Sequence, residues 1–320
     1  MISYAWRTGF GPEDSQEERE LREMLAEAAE ADAEAGFPAV SLDQPYRDDA
    51  SHLVVRLLPD HRAGHEGSSP VAAYLRVEPD PDGGPATVRY VVRPEFRSRG
   101  ISTLLVERLG LDVRADGGWA GTGAAALRIW ANGDHPAAQR MARRFECFGV
   151  RSARRQWQLL APLRDAGLPD SPGSASRPPA SAPEQAAATL LWRRDRAGPE
   201  EPPGHAQVLV AGPVVAGAVW YDPHADERTE YGTAGRIIAV LAAPGQENIR
   251  AELVAAAMAG LRESGLRVAV IAVDADDHVL ARGCRLLGFR HDRTDIEYTV
   301  GAPAAAGGAD LSQAPAEVTR

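Results

Sequence analysis

Apolar and polar residues alternate with two different periods along the first half of the chain. Leu21, Met24, Leu25 and Ala28 recur at three- and four-residue spacing, which predicts a helix over residues 12–36. Short apolar runs bounded by Gly, Pro and Asp predict strands before and after it. The predicted order is β-α-β-β-β-α-β-α-β, with the strands MISYAWR, HLVVRLLP, PVAAYLRVEP, VRYVV, AALRIWANG and RRQWQLL. A meander followed by βαβ units makes a mixed sheet with helices on its faces.

The same pattern recurs more weakly in the second half. HAQVLVAG and PVVAGAVWYDP predict a hairpin, and GRIIAVLAAP, RVAVIAVDA and DIEYTV predict three more strands. NIRAELVAAAMAGLRESG predicts a helix that ends at Gly265, and DHVLARGCRLLGF predicts another. Because RRFECFGV and ARGCRLLGF occupy matching places, we interpret the chain as an internal duplication. We find no match to the first helix in the second half, so we expect that half to be truncated.

These elements predict an α/β (α+β) protein of two domains in tandem, each a mixed, mostly antiparallel sheet flanked by helices. We place the domains at residues 1–165 and 189–301. Residues 166–188 are rich in Pro, Ser and Ala and are predicted to be a flexible linker. The Ala- and Gly-rich residues 302–320 are predicted to be a disordered tail.

Composition limits the possible function classes. The net charge of −10 disfavours nonspecific binding to nucleic acid. There is no long apolar run and no signal-peptide layout, so we expect a cytoplasmic protein without a membrane partner. Cys147 and Cys284 lie far apart in predicted helices, which predicts buried thiols and neither a disulfide nor a metal site. All 35 basic residues are arginine, which suggests a GC-rich coding genome and removes lysine from any mechanism.

The stretch VRYVVRPEFRSRGISTLLVERL has the features of an anion-binding loop. A predicted strand ends before Pro94, and a predicted helix begins near Gly100. The N–H groups of a first helical turn have no partner within the helix and lie at the positive end of its dipole. Arg97 and Arg99 could add charged contacts. The alternative is a solvated loop in which these arginines balance nearby glutamates.

This stretch resembles the coenzyme-A loop of the GNAT acetyltransferases, whose pattern is V-x-P-x-x-[QR]-x-x-G-x-[GA]. Val92, Pro94, Arg97 and Gly100 match the pattern, whereas Ser102 replaces a Gly or Ala. The resemblance implies acetyl-CoA as co-substrate. It also implies that the pantetheine arm pairs with the backbone of Val91, Val92 and Arg93, and that the pyrophosphate binds the N–H groups of Arg97, Ser98, Arg99, Gly100, Ile101 and Ser102.

The tandem arrangement is similar to that of mycothiol synthases, actinobacterial enzymes made of two GNAT halves. In those enzymes the second half carries catalysis, but here its loop reads VLAAPGQENIRAEL and departs from the pattern. Glu247 stands where the pattern has Gln or Arg, and Arg250 stands where it has the glycine. A carboxylate near a pyrophosphate is repulsive. We therefore predict that only the first half binds the coenzyme.

The catalytic groups are less evident from the sequence. The family's tyrosine proton donor corresponds to Phe145, and Arg89 lies where many relatives have a base. Glu78, Tyr90 and Asp43 remain as catalytic candidates, together with Tyr74; each has an alternative role as surface charge or core aromatic. His135 could also be a base, although a cap for the helix that begins at Pro136 is the more ordinary role.

The function that we predict is acetyl transfer from acetyl-CoA to a primary amine of a small molecule. Direct attack by the amine gains much of its acceleration from positioning, so a weak base can suffice. Two alternatives stay open: a non-catalytic acyl-CoA-binding or regulatory protein, and mycothiol synthesis. We expect a monomer or a homodimer.

Overall fold

The computed structural model describes residues 1–9, 16–34, 36–42, 48–58, 69–81, 83–163, 176–196, 207–211, 215–229 and 231–301. Its centre is one sheet of 11 strands. The strands are β1 (Ile2–Arg7), β2 (Ser51–Leu57), β3 (Val71–Glu78), β4 (Ala86–Val92), β5 (Leu127–Ala131), β6 (Arg151–Pro162), β7 (Gln207–Ala211), β8 (Gly217–Thr229), β9 (Gly232–Ala242), β10 (Val268–Asp274) and β11 (Arg290–Val300). The helices are α1 (Gln16–Glu34), α2 (Ile101–Leu109), α3 (Pro136–Arg144), α4 (Ala182–Arg196), α5 (Arg250–Glu263) and α6 (His278–Leu286).

The strand order is β1-β2-β3-β4-β5-β11-β6-β10-β9-β8-β7. Only the β4–β5 and β9–β10 pairs are parallel among the described strands. This confirms the predicted mixed, mostly antiparallel sheet. The parallel pairs arise because α2 and α5 each cross over the sheet between the two strands that they connect.

Helix α4 corrects the sequence prediction at one place. Residues 182–188 were expected to be linker, and the first helix of the second half was expected to be missing. Instead α4 packs on the sheet through Ala188 and Trp192, and the Trp192 ring lies 5.2 Å from that of Trp220. Alanine supplies much of the apolar face of α4, so the sequence has few large apolar residues there and resembles a linker. Residues 166–175 of the predicted linker and the predicted tail 302–320 lie outside the described residues.

The helices divide between two faces of the sheet. On the face that we call the front, α1 packs on β2–β4 and α4 packs on β7–β9. On the back, α2 packs on the strands of the first half, and α5 and α6 pack on those of the second half. The predicted apolar face of α1 is confirmed, because Leu21, Met24, Leu25 and Ala28 are all buried. No described helix is long and apolar enough to cross a membrane.

The two halves exchange their last strands. β11, from the second half, lies between β5 and β6 of the first half and pairs with both. β6 in turn pairs with β10 along its length, from Pro162 opposite Val268 to Gln156 opposite Asp274. Each predicted domain therefore completes the sheet of the other. The domain bounds 1–165 and 189–301 stay a prediction, apart from residues 182–188, which belong to α4 and not to a linker.

The two cysteines differ in environment. Cys284 is fully buried in α6, as expected, and burial raises the pKa of its thiol to about 12. Cys147 was expected to be buried as well, but it is exposed. The helix that should have buried it ends at Arg144, and Cys147 lies in the 3₁₀ turn that follows.

Candidate active site

Strands β4 and β5 run side by side only at their beginnings. Their last paired residues are Val88 and Ile129, and beyond that point a gap opens between the strands. On its other edge β4 stays paired with β3 as far as Val92. Arg93 donates its N–H to Ala72 at 2.9 Å. Because hydrogen-bonding direction alternates along an antiparallel strand, the backbone groups of Tyr90 and Val92 point into the gap.

The loop at the end of β4 presents unpartnered N–H groups. Gly100, the N-cap residue before α2, has a φ of 78°, and Ser98 also has a positive φ, of 62°. Within the described chain, the backbone N–H groups from Ser98 to Thr103 donate to no protein acceptor. A Cβ at Gly100 would meet no atom within 4 Å, so open space lies in front of these groups. Consecutive inward-directed N–H groups of this kind form an anion-binding concavity.

The three arginines around this loop are used differently. Arg97 forms a bidentate ion pair with Asp32 of α1, and its Nε donates to the carbonyl of Val92 at 3.0 Å. Arg93 forms an ion pair with Glu27 of α1. These two arginines hold the loop against α1. Arg99 lies over the ring of Phe96, with 5.5 Å between the guanidinium carbon and the ring centre. Arg99 has no carboxylate partner in the described chain, so its charge can reach a ligand.

The structure brings most of the predicted coenzyme residues together at the gap and the loop, but not in equivalent roles. Val91 is buried against α1, and its backbone belongs to the β3–β4 ladder. The carbonyl of Arg93 accepts from Phe96, and its N–H is already used. Val92 is therefore the one of the three predicted strand residues whose backbone points into the gap. Ile101 anchors α2 through its buried side chain.

The second half has a similar gap, but its loop carries a carboxylate. β9 and β10 are paired from Ala234 and Val268 as far as Ile237 and Ile271 and then separate. In the loop after β9, the carboxylate of Glu247 accepts the N–H of Gly245 at 3.0 Å.

The hydrogen bond with Gly245 places the carboxylate of Glu247 in the second loop. Hydrogen bonds from its own N–H and from that of Gly245 lower the pKa of Glu247. Arg250 forms an ion pair with Asp277, which also caps α6, and so joins α5 to α6. The negative charge predicted at Glu247 is therefore present in the second loop, where the carboxylate accepts the N–H of Gly245.

The predicted catalytic residues do not converge on one point. Glu78 ends β3 on the front face, where its Oε1 lies 2.7 Å from Nε of Arg76 and 3.5 Å from Nε of Arg89. Tyr90 instead points to the back face and packs with the α2 cluster. Its buried hydroxyl has no hydrogen bond of good geometry among the described residues, and burial raises its pKa to about 12. Asp43 lies outside the described residues. All three stay predictions.

One buried group under α1 was not singled out from the sequence. His52 of β2 is fully buried, and its Nδ1 lies 2.6 Å from the hydroxyl of Tyr74. Burial, followed by the charge of Arg76, lowers the pKa of His52 to about 4, so the imidazole is neutral near pH 7. The available signal was a histidine at the start of the otherwise apolar run HLVVRLL. The hydrogen bond also gives Tyr74 a structural role.

The positions of His135 and Phe145 in the structure bear on two further interpretations of the sequence. His135 caps α3, because its Nδ1 accepts the N–H of Ala137 at 3.2 Å and Pro136 follows in the first turn. Phe145 is buried at the end of the same helix.

The middle of the front face is polar. Among the described residues, the apolar clusters that hold α1 and α4 do not extend to β5, β11 and β6. Arg154 and Asp274 form a bidentate ion pair there, and Arg128 donates to Thr87 at 2.9 Å. Trp130 and Glu297 lie directly opposite each other on β5 and β11. We call this front surface of β5, β11 and β6 the polar floor. It lies between α1 and α4, next to the gap, and suits a hydrophilic small molecule.

No family model matches the chain. Comparison with individual known proteins, in contrast, places it in a family. A mycothiol acetyltransferase of Thermobispora bispora is 31% identical over 252 residues, which cover 71% of this chain and 79% of that protein. The chain belongs to the mycothiol acetyltransferase family. Another member, from Nocardia farcinica, is 29% identical over 305 residues, which cover 87% of this chain and 92% of that protein.

Solved structures support the fold of this family member. A GCN5-related N-acetyltransferase from Sphaerobacter thermophilus aligns over 97% of this chain and 98% of its own, with a TM-score of 0.57 and 18% identity. A tandem GNAT protein from the clavulanic acid biosynthesis pathway aligns over 95% of this chain and 100% of its own, with a TM-score of 0.56 and 15% identity. The chain therefore has the tandem GNAT fold that the sequence predicted. Its membership of the mycothiol acetyltransferase family makes it an acyltransferase.

Proposed function

We propose that the protein is an acetyl-CoA-dependent N-acetyltransferase whose first half binds the coenzyme and whose acceptor is a primary amine of a small molecule. The observation that carries the proposal is the difference between the two loops. The first loop presents free N–H groups from Ser98 to Thr103, whereas Glu247 occupies the second. A pyrophosphate supplies the anion that the first loop lacks.

The gap beside β4 suits the rest of the coenzyme. An extended pantetheine arm that runs from the loop along β4 adds to the sheet like a strand. Val92 offers its N–H to such an arm, while its carbonyl is already held by Arg97. The acyl end would then lie at the narrow end of the gap, near Val88 and Ile129. There the N–H of Tyr90 is directed at the position of the thioester carbonyl oxygen, where it would stabilise developing negative charge.

The acceptor would approach from the front face. The polar floor formed by β5, β11 and β6 leads to the same narrow end of the gap. Relatives of this chain are named mycothiol acetyltransferases, so we propose mycothiol that lacks its acetyl group as the first acceptor to try. In this proposal the coenzyme site of the first half is the one that serves the reaction, unlike the arrangement implied for mycothiol synthases.

Calorimetric titration with acetyl-CoA tests the coenzyme site, and the chain offers a matched pair of variants. Gly100 and Gly245 have nearly equal φ, 78° and 77°, and a Cβ meets no atom within 4 Å at either. Gly100→Glu and Gly245→Glu therefore cause similar backbone strain but add charge to different loops. We expect one site in the wild-type protein, lost in Gly100→Glu and kept in Gly245→Glu. Normal binding by Gly100→Glu would contradict the proposal.

Acetyl transfer is tested separately, by mass spectrometry of the product. The acceptors are deacetylated mycothiol and a panel of other small primary amines. We expect a product that gains one acetyl group, together with release of the coenzyme thiol. Binding of acetyl-CoA without transfer to any acceptor would refute the enzymatic part of the proposal while leaving the coenzyme site in place.

A further inference from the structure

One carboxylate on the front face has no hydrogen-bond or ion-pair partner among the described residues. Glu297 of β11 lies opposite Trp130 of β5 and Arg154 of β6. It is half-buried, and the described chain gives it neither a hydrogen bond nor an ion pair. Its neighbour Ile296 is buried on the opposite face, as alternation along a strand requires. Glu297 is therefore an open acceptor on the polar floor.

Its place in the register puts it one strand from the narrow end of the gap, on the other side of β5. The last β4–β5 pair is Val88 with Ile129, and Trp130 is the first β5 residue beyond that pair. Trp130 is on the front face, because Arg128 two residues earlier reaches Thr87 across the strands. One strand spacing, about 4.8 Å, separates Trp130 from Glu297. A glutamate side chain spans that distance.

The other charged groups on this floor already have partners. Oε1 of Glu78 faces the two arginines described above, and Asp295 pairs with Arg293. These carboxylates already contact arginine side chains and are therefore less available to a ligand. Of the charged groups on the neighbouring strands that face Glu297, Arg128 lies 3.6 Å from Asp80, and Arg154 pairs with Asp274.

We propose that Glu297 is the general base that accepts the proton of the acceptor amine. The proposal rests on the proposed function, because it needs the acyl group at the narrow end of the gap. An ammonium group would be attracted both by the Glu297 carboxylate and by the face of Trp130. The residue comes from the last strand of the second half, so the strand exchange completes the site of the first half.

The proton and electron balance is simple. Glu297 takes one proton from the acceptor ammonium, which leaves a free amine. The amine nitrogen attacks the thioester carbon and forms the C–N bond, and the C–S bond breaks with its electron pair on sulfur. The second nitrogen proton passes to that sulfur, directly or through water, so the products are an amide and the coenzyme thiol. Glu297 then releases its proton to solvent.

The test is the rate of acetyl transfer by Glu297→Gln, with acetyl-CoA and whichever amine the wild-type protein acetylates. General-base catalysis contributes typically about 10²- to 10⁴-fold, so we expect kcat to fall by about 10²-fold or more. The loss should shrink as the pH rises and the amine deprotonates by itself. The Kd for acetyl-CoA should stay unchanged. Glu252→Gln makes the same chemical change on the exposed side of α5 and should leave kcat unchanged.

Three outcomes would overturn the proposal. Glu297→Gln with a kcat within threefold of wild type, in a protein that is active, would refute the role of Glu297 and leave the proposed function standing. A wild-type protein that binds acetyl-CoA but acetylates no amine would refute both. If Glu297→Gln does not fold, Glu297→Asp keeps the charge and moves it back by one methylene. We then expect a smaller loss of kcat with the wild-type pH profile, and an unchanged kcat would overturn the proposal.

Discussion

The backbone N–H of Gly133 donates a hydrogen bond of 2.8 Å to Oδ1 of Asp295, which joins the turn after β5 to the last strand of the chain. The two residues are 162 positions apart. Asp295 also receives Nε of Arg293, whose guanidinium in turn lies over the ring of Phe37. The turn of the first half is thus shaped by the second half, and the two halves share one continuous sheet.

This relationship predicts that the first half does not fold by itself. A fragment of residues 1–165 lacks β10 and β11, so the edges of β5 and β6 would be left unpaired, and unpaired edges promote aggregation. We expect the fragment to be insoluble or to lack cooperative unfolding by circular dichroism. Co-expression with residues 166–320 should restore a soluble complex. A monomeric fragment with a sharp thermal transition would contradict the prediction.

His52 predicts a pH-dependent stability. Its pKa is about 4 in the folded protein, against 6.5 for an unperturbed histidine, so the unfolded chain binds the proton first as the pH falls. The stabilising contribution is complete above about pH 6.5, declines between about pH 6.5 and 4, and is lost below that. It amounts to about 3 kcal/mol.

The measurement is denaturant unfolding at several pH values in that window, compared between wild type and His52→Asn. The asparagine keeps a polar group near Nδ1 for the Tyr74 hydroxyl but does not titrate. The free energy of unfolding of the variant should change less with pH than that of wild type. Parallel curves would show that His52 is not the group responsible.

Removing the charge of the second loop is predicted not to create a second coenzyme site. In Glu247→Gln the side chain still fits the loop, and the Arg250–Asp277 ion pair still joins α5 to α6. Calorimetry with acetyl-CoA should therefore give one site for the variant, as for wild type. A second binding event in Glu247→Gln would mean that the carboxylate alone keeps the coenzyme out of the loop.

The two cysteines are predicted to react with a thiol reagent at different rates. Cys147 is exposed, whereas Cys284 is buried and has a pKa of about 12. Since the thiolate is the reactive form, an aromatic disulfide reagent should modify one thiol of the native protein quickly and the second only after unfolding. Cys147→Ser should abolish the fast reaction. Fast reaction of two thiols in the native state would contradict the burial of Cys284.

The sequence determined the local structure and the resemblance of the first loop to a coenzyme-A loop. Apolar periodicity located α1 and most of the strands, because side-chain burial follows the repeat of each element. The pattern through Val92, Pro94, Arg97 and Gly100 was readable because a loop that binds an anion through its backbone needs glycine and proline at set positions. Glu247 and Arg250 showed in the same way that the second loop had changed.

The tertiary structure decided how the two halves combine. Strand pairing depends on contacts between residues far apart in the chain, so no local pattern could show that β11 lies between β5 and β6. Glu297 looked like an ordinary polar residue of an alternating strand, and only this pairing places it next to Trp130. His52 looked like a strand end, and only the packing of α1 over it and Tyr74 buries the imidazole. Local patterns record which face of an element is buried, whereas the partner on that face is chosen by the whole fold.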